Sequence, residues 1–373
     1  MSDKPFKVAY LLGSLERGGT ETLLLDCFLN AHEAGFSFIG IHRKDGDLLN
    51  SFMETGVPFY RVGFKHRFDI SYYLRLRKML IRHSVTIAHA QQPLDALLAW
   101  IATLGTGIRI ILTIHGYDFA KGILPKTINR FILHRTSLNI FVSNAQMNYY
   151  IKKYNFLDLP RQRVVYNGIS FEKFDKPSSH SIRVELGIRN GILLLCSVGN
   201  FSPVRDQMTI CRFLAILSKK TVGFIMIFAG TKTNQDPHLY DDCIDFCSKE
   251  GLADKVLFLG IRSDVPDILA QSDGFIYASD HDTFGIAVIE AIASGIPVFV
   301  NDWKVMKEIT EDGKYATLYK TKDENDLLKH FLHFLENRGS YQKNAENASS
   351  WVRDTFSIWE HFIALKEAYS SLI

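Results

Sequence analysis

The feature that most constrains the fold is a recurring pattern of short apolar runs, each followed by a turn and a segment with helical spacing. One series of runs covers residues 7–12, 36–42, 86–89, 109–114 and 138–142. A second series covers residues 192–198, 223–229, 256–259, 274–277 and 297–300. Runs that are apolar throughout are typical of parallel strands covered on both faces. The pattern therefore predicts an α/β protein with two doubly wound parallel sheets.

The length of 373 residues exceeds that of one ordinary core and fits two α/β domains. The series restarts after Asn167-Gly168, which is a turn signal, and a polar stretch with a proline follows. We therefore predict a first domain over residues 1–167 and a second over residues 168–350. Residues 351–373 are predicted to form a helix that packs back on the first domain.

Composition and charge exclude several classes of protein. The net charge of +3 is too small to indicate nucleic-acid binding by the whole molecule. The first residues lack the apolar stretch of a signal peptide, and no run of 18 apolar residues predicts a membrane span. The scattered cysteines are expected to be small buried residues in a cytoplasmic protein. They are Cys27, Cys196, Cys211, Cys243 and Cys247.

The strongest candidate site is the stretch SDHDTFGIAVIEAIASGIP at residues 279–297. A predicted strand runs into a polar loop, and a helix is expected to begin near Phe284. Amides at Gly285, Ile286 and Ala287 would then be unpaired and placed to bind a diphosphate. Glu290, about one turn later, would accept hydrogen bonds from ribose hydroxyls, with Asp282 near the sugar. The alternative is a capped core helix with incidental acids.

This stretch resembles the E-x7-E motif of retaining GT-B glycosyltransferases of family 4. Asp282 and Glu290 have the required spacing, an FG pair follows the first acid, and EA-x-A-x-G-x-P follows the second. Asp282 departs from the pattern because the family has a longer glutamate there. Asp280 is therefore kept as an alternative for the first acid.

Further landmarks of the family occur in order along nearly the whole chain. Gly18-Gly19-Thr20-Glu21 is similar to the GG-x-E loop, and Thr113-Ile114-His115-Gly116 to the T-x-H turn. Val142-Ser143 and Val165-Tyr166-Asn167-Gly168 match later landmarks. Ser197-Val198-Gly199-Asn200 with Arg205 matches the loop that reads G-R-x-x-x-x-K in many members. Asn200 replaces the first of its two cations, and Arg205 the second.

The resemblance implies a role for each matching residue. The catalytic candidates are His115, Arg205, Asp282 and Glu290. His115 would hold the donor hexose, and Arg205 would meet the leaving diphosphate, for which a guanidinium is well suited. Strand-end turns would contact the base and phosphates. The donor-binding candidates are Gly18, Gly19, Asn200, Gly230, Ile261, Arg262, Phe284, Gly285, Ile286, Ala287 and Glu290.

The resemblance also implies the reaction, with the first domain binding the acceptor and the second the donor across a cleft. A hexose or N-acetylhexosamine would move from a nucleotide-sugar, UDP favoured over GDP, with retention of configuration. The acceptor would be a glycan or a polyprenyl-diphosphate-linked acceptor in the synthesis of cell-surface polysaccharide or glycoconjugate. The site would need no metal and no cofactor.

Three other functions are open to such a chain. A nucleotide-sugar epimerase shares the scaffold, although the order of motifs argues against it. A non-catalytic protein that binds sugar nucleotides would explain Asn200 and Asp282. A nicotinamide oxidoreductase would need G-x-G-x-x-G after a strand, and GSLERGG at residues 13–19 lacks that spacing.

Basic residues are concentrated in two segments of the first domain. Between Arg61 and His83 there is one acid, Asp69, among seven basic residues: Arg61, Lys65, Arg67, Arg75, Arg77, Lys78 and Arg82. A second segment carries Lys121, Lys126, Arg130 and Arg135. These segments are interpreted either as solvated helix faces or as a peripheral contact with anionic membrane or a lipid-diphosphate acceptor.

Overall fold

The computed structural model of the chain describes residues 6–16, 18–66, 69–118, 123–155, 161–175, 180–220, 223–233 and 236–372, with residues 123 and 124 as backbone only. The chain divides into two compact units. The first contains Met1–Ile169 and Ile358–Ile373, and the second contains Ser170–Ser357.

The first unit is built on a parallel sheet. Its strands in the described residues are β1 (Lys7–Leu12), β2 (Ser37–His42), β3 (Phe59–Arg61), β4 (Ile87–Ala90), β5 (Arg109–Ile114), β6 (Leu138–Phe141) and β7 (Gln162–Val164). Their order in the sheet is β3-β2-β1-β4-β5-β6-β7. Its helices are α1 (Gly19–Asn30), α2 (Leu49–Glu54), α3 (Ser71–Arg82), α4 (Pro93–Ala102), α5 (Ile123–Arg135), α6 (Asn144–Tyr154) and the C-terminal α16 (Ile358–Ser370).

The centre of this sheet is apolar on both faces because helices cover both sides. Val8 of β1 pairs in register with Phe38 of β2 and Ile87 of β4, and all three are buried. At Gly40 in β2, a Cβ atom would lie 2.0 Å from the ring of Phe59. The absent side chain at this position therefore makes room for an aromatic residue of β3.

Helix α16 completes the core of the first unit. Phe362, Leu365 and Tyr369 are buried there in one cluster with Val8 and Tyr10. The hydroxyls of Tyr10 and Tyr369 lie 3.1 Å apart. The helix begins later than the predicted boundary at residue 351, because residues 351–357 belong to the second unit.

The second unit is a parallel sheet of the same type. Its strands in the described residues are β8 (Leu193–Val198), β9 (Phe224–Ala229), β10 (Val256–Gly260), β11 (Gly274–Tyr277), β12 (Val298–Asn301) and β13 (Thr317–Tyr319), in the order β10-β9-β8-β11-β12-β13. Its helices are α7 (Glu172–Asp175), α8 (Ile182–Glu185), α9 (Gln207–Leu217), α10 (His238–Lys249), α11 (Val265–Ala270), α12 (Ile286–Ala293), α13 (Lys304–Ile309), α14 (Glu324–Glu336) and α15 (Arg338–Thr355). The strand order reverses between β8 and β11, where ligands of such folds bind.

The prediction of two doubly wound parallel sheets is confirmed. Strands β1, β5 and β11 have the predicted bounds, and the other predicted strands differ by about one residue. The apolar runs did not reveal β3, β7 and β13, which are three-residue strands. Among the described residues, no helix combines the length and apolar character needed to cross a bilayer.

Three histidines are held neutral in the first unit. His89 contacts the hydroxyls of Tyr369 at 2.8 Å and Thr113 at 2.7 Å. Burial lowers the pKa of His89 to about 3, and neighbouring His115 and His361 add to the effect. Burial likewise lowers the pKa values of His115 and His361 to about 4. The folded unit therefore resists protonation at positions that the unfolded chain protonates readily.

This difference predicts that acid destabilises the first unit. As pH falls from the ordinary histidine pKa of 6.5 towards about 4, the unfolded chain takes up protons that the folded chain does not. The free energy of unfolding should decrease through this interval when measured by urea unfolding at a series of pH values. His89→Gln removes one titrating group and should decrease the pH dependence; an unchanged dependence would contradict this assignment.

Candidate functional site

Glycines allow three strand ends of the second unit to approach closely. Gly199 follows β8, Gly230 follows β9 and Gly260 ends β10, and all three have positive φ angles. The amide of Gly230 donates to the carbonyl of Gly260 at 2.8 Å. A Cβ atom on Gly230 would lie 2.2 Å from the carbonyl oxygen of Gly199. These turns therefore require glycine, and they leave backbone at the carboxyl end of the sheet.

Arg205 is fixed beside the Gly199 turn. Its Nη2 donates to the carbonyl oxygen of Val198 at 2.6 Å, and its Cζ lies 3.7 Å from the ring centroid of Tyr277. Its Nη1 lies 3.5 Å from Oδ2 of Asp282, and the side chain is 10% exposed. The buried Nε has no partner among the described residues. Arg205 thus carries a positive charge at the reversal point of the sheet.

Asp282 is positioned by Tyr277, which sequence reasoning did not single out. Tyr277 ends β11 and is buried, and its hydroxyl donates to Oδ2 of Asp282. Burial raises the pKa of Tyr277 well above the ordinary value, so the phenol keeps its proton and acts as a donor. Trp303 Nε1 donates to the backbone carbonyl of Asp282 at 3.1 Å. The only sequence signal for Tyr277 was a phenol in a buried strand just before the motif.

The two acids proposed for the first motif position have different partners. Asp280 pairs with Lys322, with 2.6 Å between Oδ2 and Nζ, and the hydrogen bond raises the pKa of Lys322. Oδ1 of Asp280 is buried without a partner among the described residues. Asp282 contacts Arg205 instead. The two acids therefore have different basic partners, and both stay candidates for the first motif position.

The amino end of α12 presents unpaired amides. Gly285 is its N-cap with φ of 85°, and a Cβ there would lie 2.8 Å from Cε of Met306. The amides of Gly285, Ile286 and Ala287 donate no hydrogen bond within the described part of the chain. The helix begins at Ile286 rather than near Phe284, whose side chain is buried 5.5 Å from the ring of Phe356. The motif glycine therefore opens a helix whose first amides can receive an anion.

Glu290 lies one turn into α12 and has a partner that the sequence did not suggest. Its Oε1 accepts a hydrogen bond from Nζ of Lys173 at 2.9 Å. The Glu290 side chain is 14% exposed, whereas Lys173 is 41% exposed. Lys173 and Glu290 are 117 residues apart, so only the fold reveals this pair.

Two further donor-binding candidates lie in the turns after β8 and β10. Asn200 is exposed, and its Oδ1 accepts from the amide of Thr231 at 3.1 Å, which joins the turns after β8 and β9. Ile261 follows β10 and has a side chain that is 69% exposed. Asn200 therefore fixes the backbone of the loop in which many family members carry a cation.

The side chain of Arg262 is committed to an ion-pair network. It donates to both oxygens of Glu185 at 2.8 and 2.9 Å, and to both oxygens of Asp264 at 2.8 and 2.5 Å. Hydrogen bonds from Arg262 and His180 lower the pKa of Glu185 to about 2. In the part of the chain that the structure describes, His180, Glu185 and Asp264 are the one group spaced like metal ligands. Arg262 already donates hydrogen bonds to both carboxylates of this group, those of Glu185 and Asp264.

The candidates of the first unit lie at its own strand ends. Gly18 is the N-cap of α1, and its carbonyl accepts from the amide of Thr22 at 3.0 Å, while Gly19 begins the helix. His115 follows β5, and its Nε2 lies 2.8 Å from Oε1 of Gln91, which follows β4. Nε2 of Gln91 is buried without a partner among the described residues. Gln91 is a second residue that sequence reasoning missed.

The structure brings the predicted residues into local groups. The backbones of Arg205 and Ser279 pair in an antiparallel manner, and the amide of Asp280 donates to the carbonyl of Val204 at 3.1 Å. The loops that follow β8 and β11 are therefore joined, and they place Arg205 beside Asp282. Gly18, Gly19 and His115 belong to the first unit.

The basic segments also belong to the first unit. In the first segment, Arg61 pairs with Asp45 at 2.7 Å and Arg75 with Asp69 at 2.8 Å. In the second, Cζ of Arg135 lies 5.3 Å from the ring centroid of Phe131. Arg67 and Lys121 lie outside the described residues.

Comparison with known proteins agrees with this architecture. A family model described as Glycosyltransferase Family 4 matches residues 17–173, and one described as Glycosyl transferases group 1 matches residues 178–351. N-acetyl-alpha-D-glucosaminyl L-malate synthase of Bacillus anthracis is 24% identical over 314 residues, covering 82% of this chain and 80% of the relative.

Two further comparisons extend the picture. The Escherichia coli UDP-Gal:alpha-D-GlcNAc-diphosphoundecaprenol alpha-1,3-galactosyltransferase is 23% identical over 320 residues, covering 82% of this chain and 80% of the relative. The crystal structure of Anabaena HepE in complex with UDP superposes with a TM-score of 0.87 at 19% identity, covering 98% and 100% of the two chains. Matched by the two models over nearly its whole length, the chain belongs to the group 1 glycosyltransferases of family 4 and has the GT-B fold.

Proposed function

We propose that this glycosyltransferase moves a hexose or N-acetylhexosamine from a nucleotide-sugar, with UDP preferred over GDP, to a glycan or lipid-linked acceptor. The transfer retains the anomeric configuration, requires no metal ion and serves the synthesis of cell-surface polysaccharide or glycoconjugate. The observation that carries the proposal is the turn from β11 into α12, where Asp282, Arg205 and the unpaired amides at residues 285–287 lie at the reversal point of the sheet.

The printed names of similar proteins support the choice of donor and acceptor. The galactosyltransferase from Escherichia coli uses UDP-galactose and a diphosphoundecaprenol acceptor according to its name. The Anabaena structure contains UDP. Alpha-monoglucosyldiacylglycerol synthase of Streptococcus pneumoniae is 26% identical over 304 residues, and its name says that it makes a glycolipid. We therefore place a UDP-sugar and a lipid-linked or glycan acceptor first among the substrates to be tested.

The diphosphate is proposed to bind between Arg205 and the first turn of α12. The amides of Gly285, Ile286 and Ala287 lie at the positive end of the helix dipole, which favours an anion. The Nη1–Asp282 contact is long at 3.5 Å, so this N–H group can turn to a phosphate oxygen at small cost. The Nη2–Val198 bond and the Tyr277 ring would keep the guanidinium in place.

In the proposed reaction, the bond between the anomeric carbon and the diphosphate oxygen breaks as the acceptor oxygen bonds to the same carbon on the same face. The acceptor proton passes to a phosphate oxygen, and the nucleoside diphosphate leaves. Arg205 and the helix amides would stabilise the negative charge that grows on the leaving group. Glu290 would accept hydrogen bonds from ribose hydroxyls, with Lys173 keeping the carboxylate oriented. Asp282 would hold the donor sugar.

A non-catalytic protein that binds sugar nucleotides is the alternative. It is motivated by Asn200 and Asp282, which replace a cation and a glutamate of the family pattern. Transfer to an acceptor, or slow release of nucleoside diphosphate without one, would identify an enzyme. Tight donor binding with no turnover would support the alternative.

A panel of UDP- and GDP-sugars tests the proposed donor. A ligand that binds only the folded state raises the melting temperature by mass action, so a UDP-sugar should raise it more than the matched GDP-sugar. Turnover reactions with the same panel of donors, run with and without EDTA, should release nucleoside diphosphate at equal rates. A preference for GDP-sugars would contradict the proposed uridine base of the donor. Loss of turnover with EDTA would contradict metal-independent transfer.

Glu290→Gln is the matched variant for this panel. It keeps the size of the side chain but removes the charge that ribose hydroxyls and Lys173 would use, so the donor-induced shift should largely disappear. Glu346→Gln, on α15, changes the same residue type on an exposed helix face and should leave the shift unchanged. Equal shifts in wild type and Glu290→Gln would remove Glu290 from the site.

Arg205→Ala should decrease kcat by about 10²–10³-fold, as does loss of one preorganised donor to a developing oxyanion. Arg183→Ala is the control. Like Arg205, Arg183 donates to an aspartate, Asp273, and to a carbonyl next to β8, that of Ile192, but it does so at the amino end of the strand. Melting curves will identify variants that fail to fold.

Tyr277→Phe separates positioning from simple packing in the same assay. It keeps the ring under Arg205 but removes the hydrogen bond to Asp282, so kcat should decrease by about tenfold with a small change in melting temperature. A decrease in kcat of less than tenfold in Arg205→Ala would contradict the role of Arg205. A Tyr277→Phe variant with lower stability but wild-type kcat would contradict the positioning role of Tyr277.

A further inference from the structure

Arg43 of the first unit is held in the same way as Arg205 of the second. It follows β2, and its side chain extends past Gly13, the residue after β1, to Asp95 in the first turn of α4. The order of the first sheet reverses between β1 and β4, so this guanidinium lies at a reversal point, where ligands of such folds bind. Both arginine side chains are largely buried, with 13% of Arg43 and 10% of Arg205 exposed.

A glycine after the central strand makes room for each guanidinium. A Cβ atom on Gly13 would lie 2.9 Å from Nη2 of Arg43, and one on Gly199 would lie 2.5 Å from Nη2 of Arg205. The same Cβ position on Gly13 lies 3.0 Å from Oε1 of Gln92, which is an exposed residue. Nη2 of Arg43 therefore lies at the end of β1 and close to the surface.

The ion pair between Arg43 and Asp95 uses one side of the guanidinium. Nε of Arg43 donates to Oδ1 of Asp95 at 2.6 Å, whereas Nη1 and Nη2 donate no hydrogen bond within the described residues. Oδ2 of Asp95 is buried and has no partner in the same part of the chain. We call Nη1 and Nη2 of Arg43 the outer edge of the guanidinium.

An arginine that only neutralises carboxylates is expected to bond both oxygens, because two parallel hydrogen bonds give the strongest pairing. Arg262 does so, since it donates to both oxygens of Glu185 and of Asp264. Arg43 gives Asp95 one hydrogen bond instead, and its outer edge stays available. The two Nη groups match the spacing of two oxygens in a phosphate or a carboxylate group.

Other charges at this end of the sheet favour an anion. Asp95 balances the charge of Arg43, but Lys44 is exposed and has no carboxylate within ion-pair distance in the described ranges. The amide of Lys44 donates to the carbonyl of Gly13 at 3.2 Å, so Lys44 begins next to the turn that Arg43 covers. The positive end of the α4 dipole lies at the same end of the sheet.

We propose that the outer edge of Arg43 binds an oxyanion of the acceptor, a phosphate or a carboxylate group. Nη1 and Nη2 would each donate to one oxygen of this group, while Nε keeps its bond to Asp95. The inference rests on the proposed function, because it takes the first unit as the half that binds the acceptor. It adds the chemical group by which this half selects an acceptor.

Calorimetric titration of the full chain saturated with UDP tests the inference. Bound UDP keeps a second anion away from Arg205. Pyrophosphate represents a phosphate acceptor, malonate a carboxylate acceptor, and methyl glucoside a neutral sugar. We expect binding of pyrophosphate or malonate that depends on Arg43, and the tighter of the two identifies which oxyanion the acceptor carries.

Arg43→Lys is the decisive variant. Lysine keeps a positive charge beside Asp95 but lacks the planar pair of Nη groups, so anion affinity should decrease by about tenfold or more with a small change in melting temperature. If this variant fails to fold, Arg43→Gln with Asp95→Asn removes both charges together and should decrease affinity equally. Arg109→Lys, at the amino end of β5, is the matched control and should leave affinity unchanged.

Gly13→Ala tests the geometry without changing any charge. The added Cβ would displace Nη2 of Arg43, so anion affinity should decrease although Arg43 is intact. Affinity that is equal in wild type and Arg43→Lys, or no binding of either anion by the wild type, would overturn the inference. Binding of methyl glucoside that depends on Arg43 would overturn it as well, because the ligand would then be a neutral sugar.

Melting temperatures of the same samples with and without UDP separate this inference from the proposed function. A chain that UDP stabilises but that binds neither anion contradicts only the inference about Arg43. A chain that UDP does not stabilise, but that binds an anion through Arg43, contradicts only the proposed donor.

Discussion

The arrangement of the strand ends of the second unit depends on how one guanidinium is held. Arg205 lies between the last carbonyl of β8, the ring of Tyr277 and the carboxylate of Asp282. Arginine remains charged when it is buried, so these contacts keep a permanent positive charge at the point where the strand order reverses. Two glycines serve the same arrangement: a Cβ at Gly199 would lie 2.5 Å from Nη2 of Arg205, and a Cβ at Gly230 would lie 2.2 Å from the carbonyl oxygen of Gly199.

The family's motif glutamate is an aspartate here, and two aromatic neighbours hold Asp282 in place. Tyr277 donates a hydrogen bond to Asp282, and Trp303 fixes the backbone of the same residue. Burial keeps the Tyr277 phenol protonated, so this bond persists across the physiological pH range. These two contacts therefore fix Asp282 beside Arg205.

Much of the fold could be predicted from the sequence because parallel strands buried on both faces leave continuous apolar runs, such as KVAYLL in β1. The short edge strand β3 has half-buried and exposed residues and therefore leaves no such run. The contiguous motif at residues 279–297 made Asp282, Gly285 and Glu290 candidates from the sequence alone. Lys173 and Gln91 could not be found in this way, because their contacts join distant parts of the chain.

The central claim is that a nucleoside diphosphate binds at the carboxyl ends of β8 and β11. A crystal structure of the chain with UDP tests it most directly. We expect the diphosphate within hydrogen-bonding distance of the amides at residues 285–287 and of Arg205, with the ribose hydroxyls at Glu290. UDP bound elsewhere, or a diphosphate that contacts neither Arg205 nor the first turn of α12, would contradict the account.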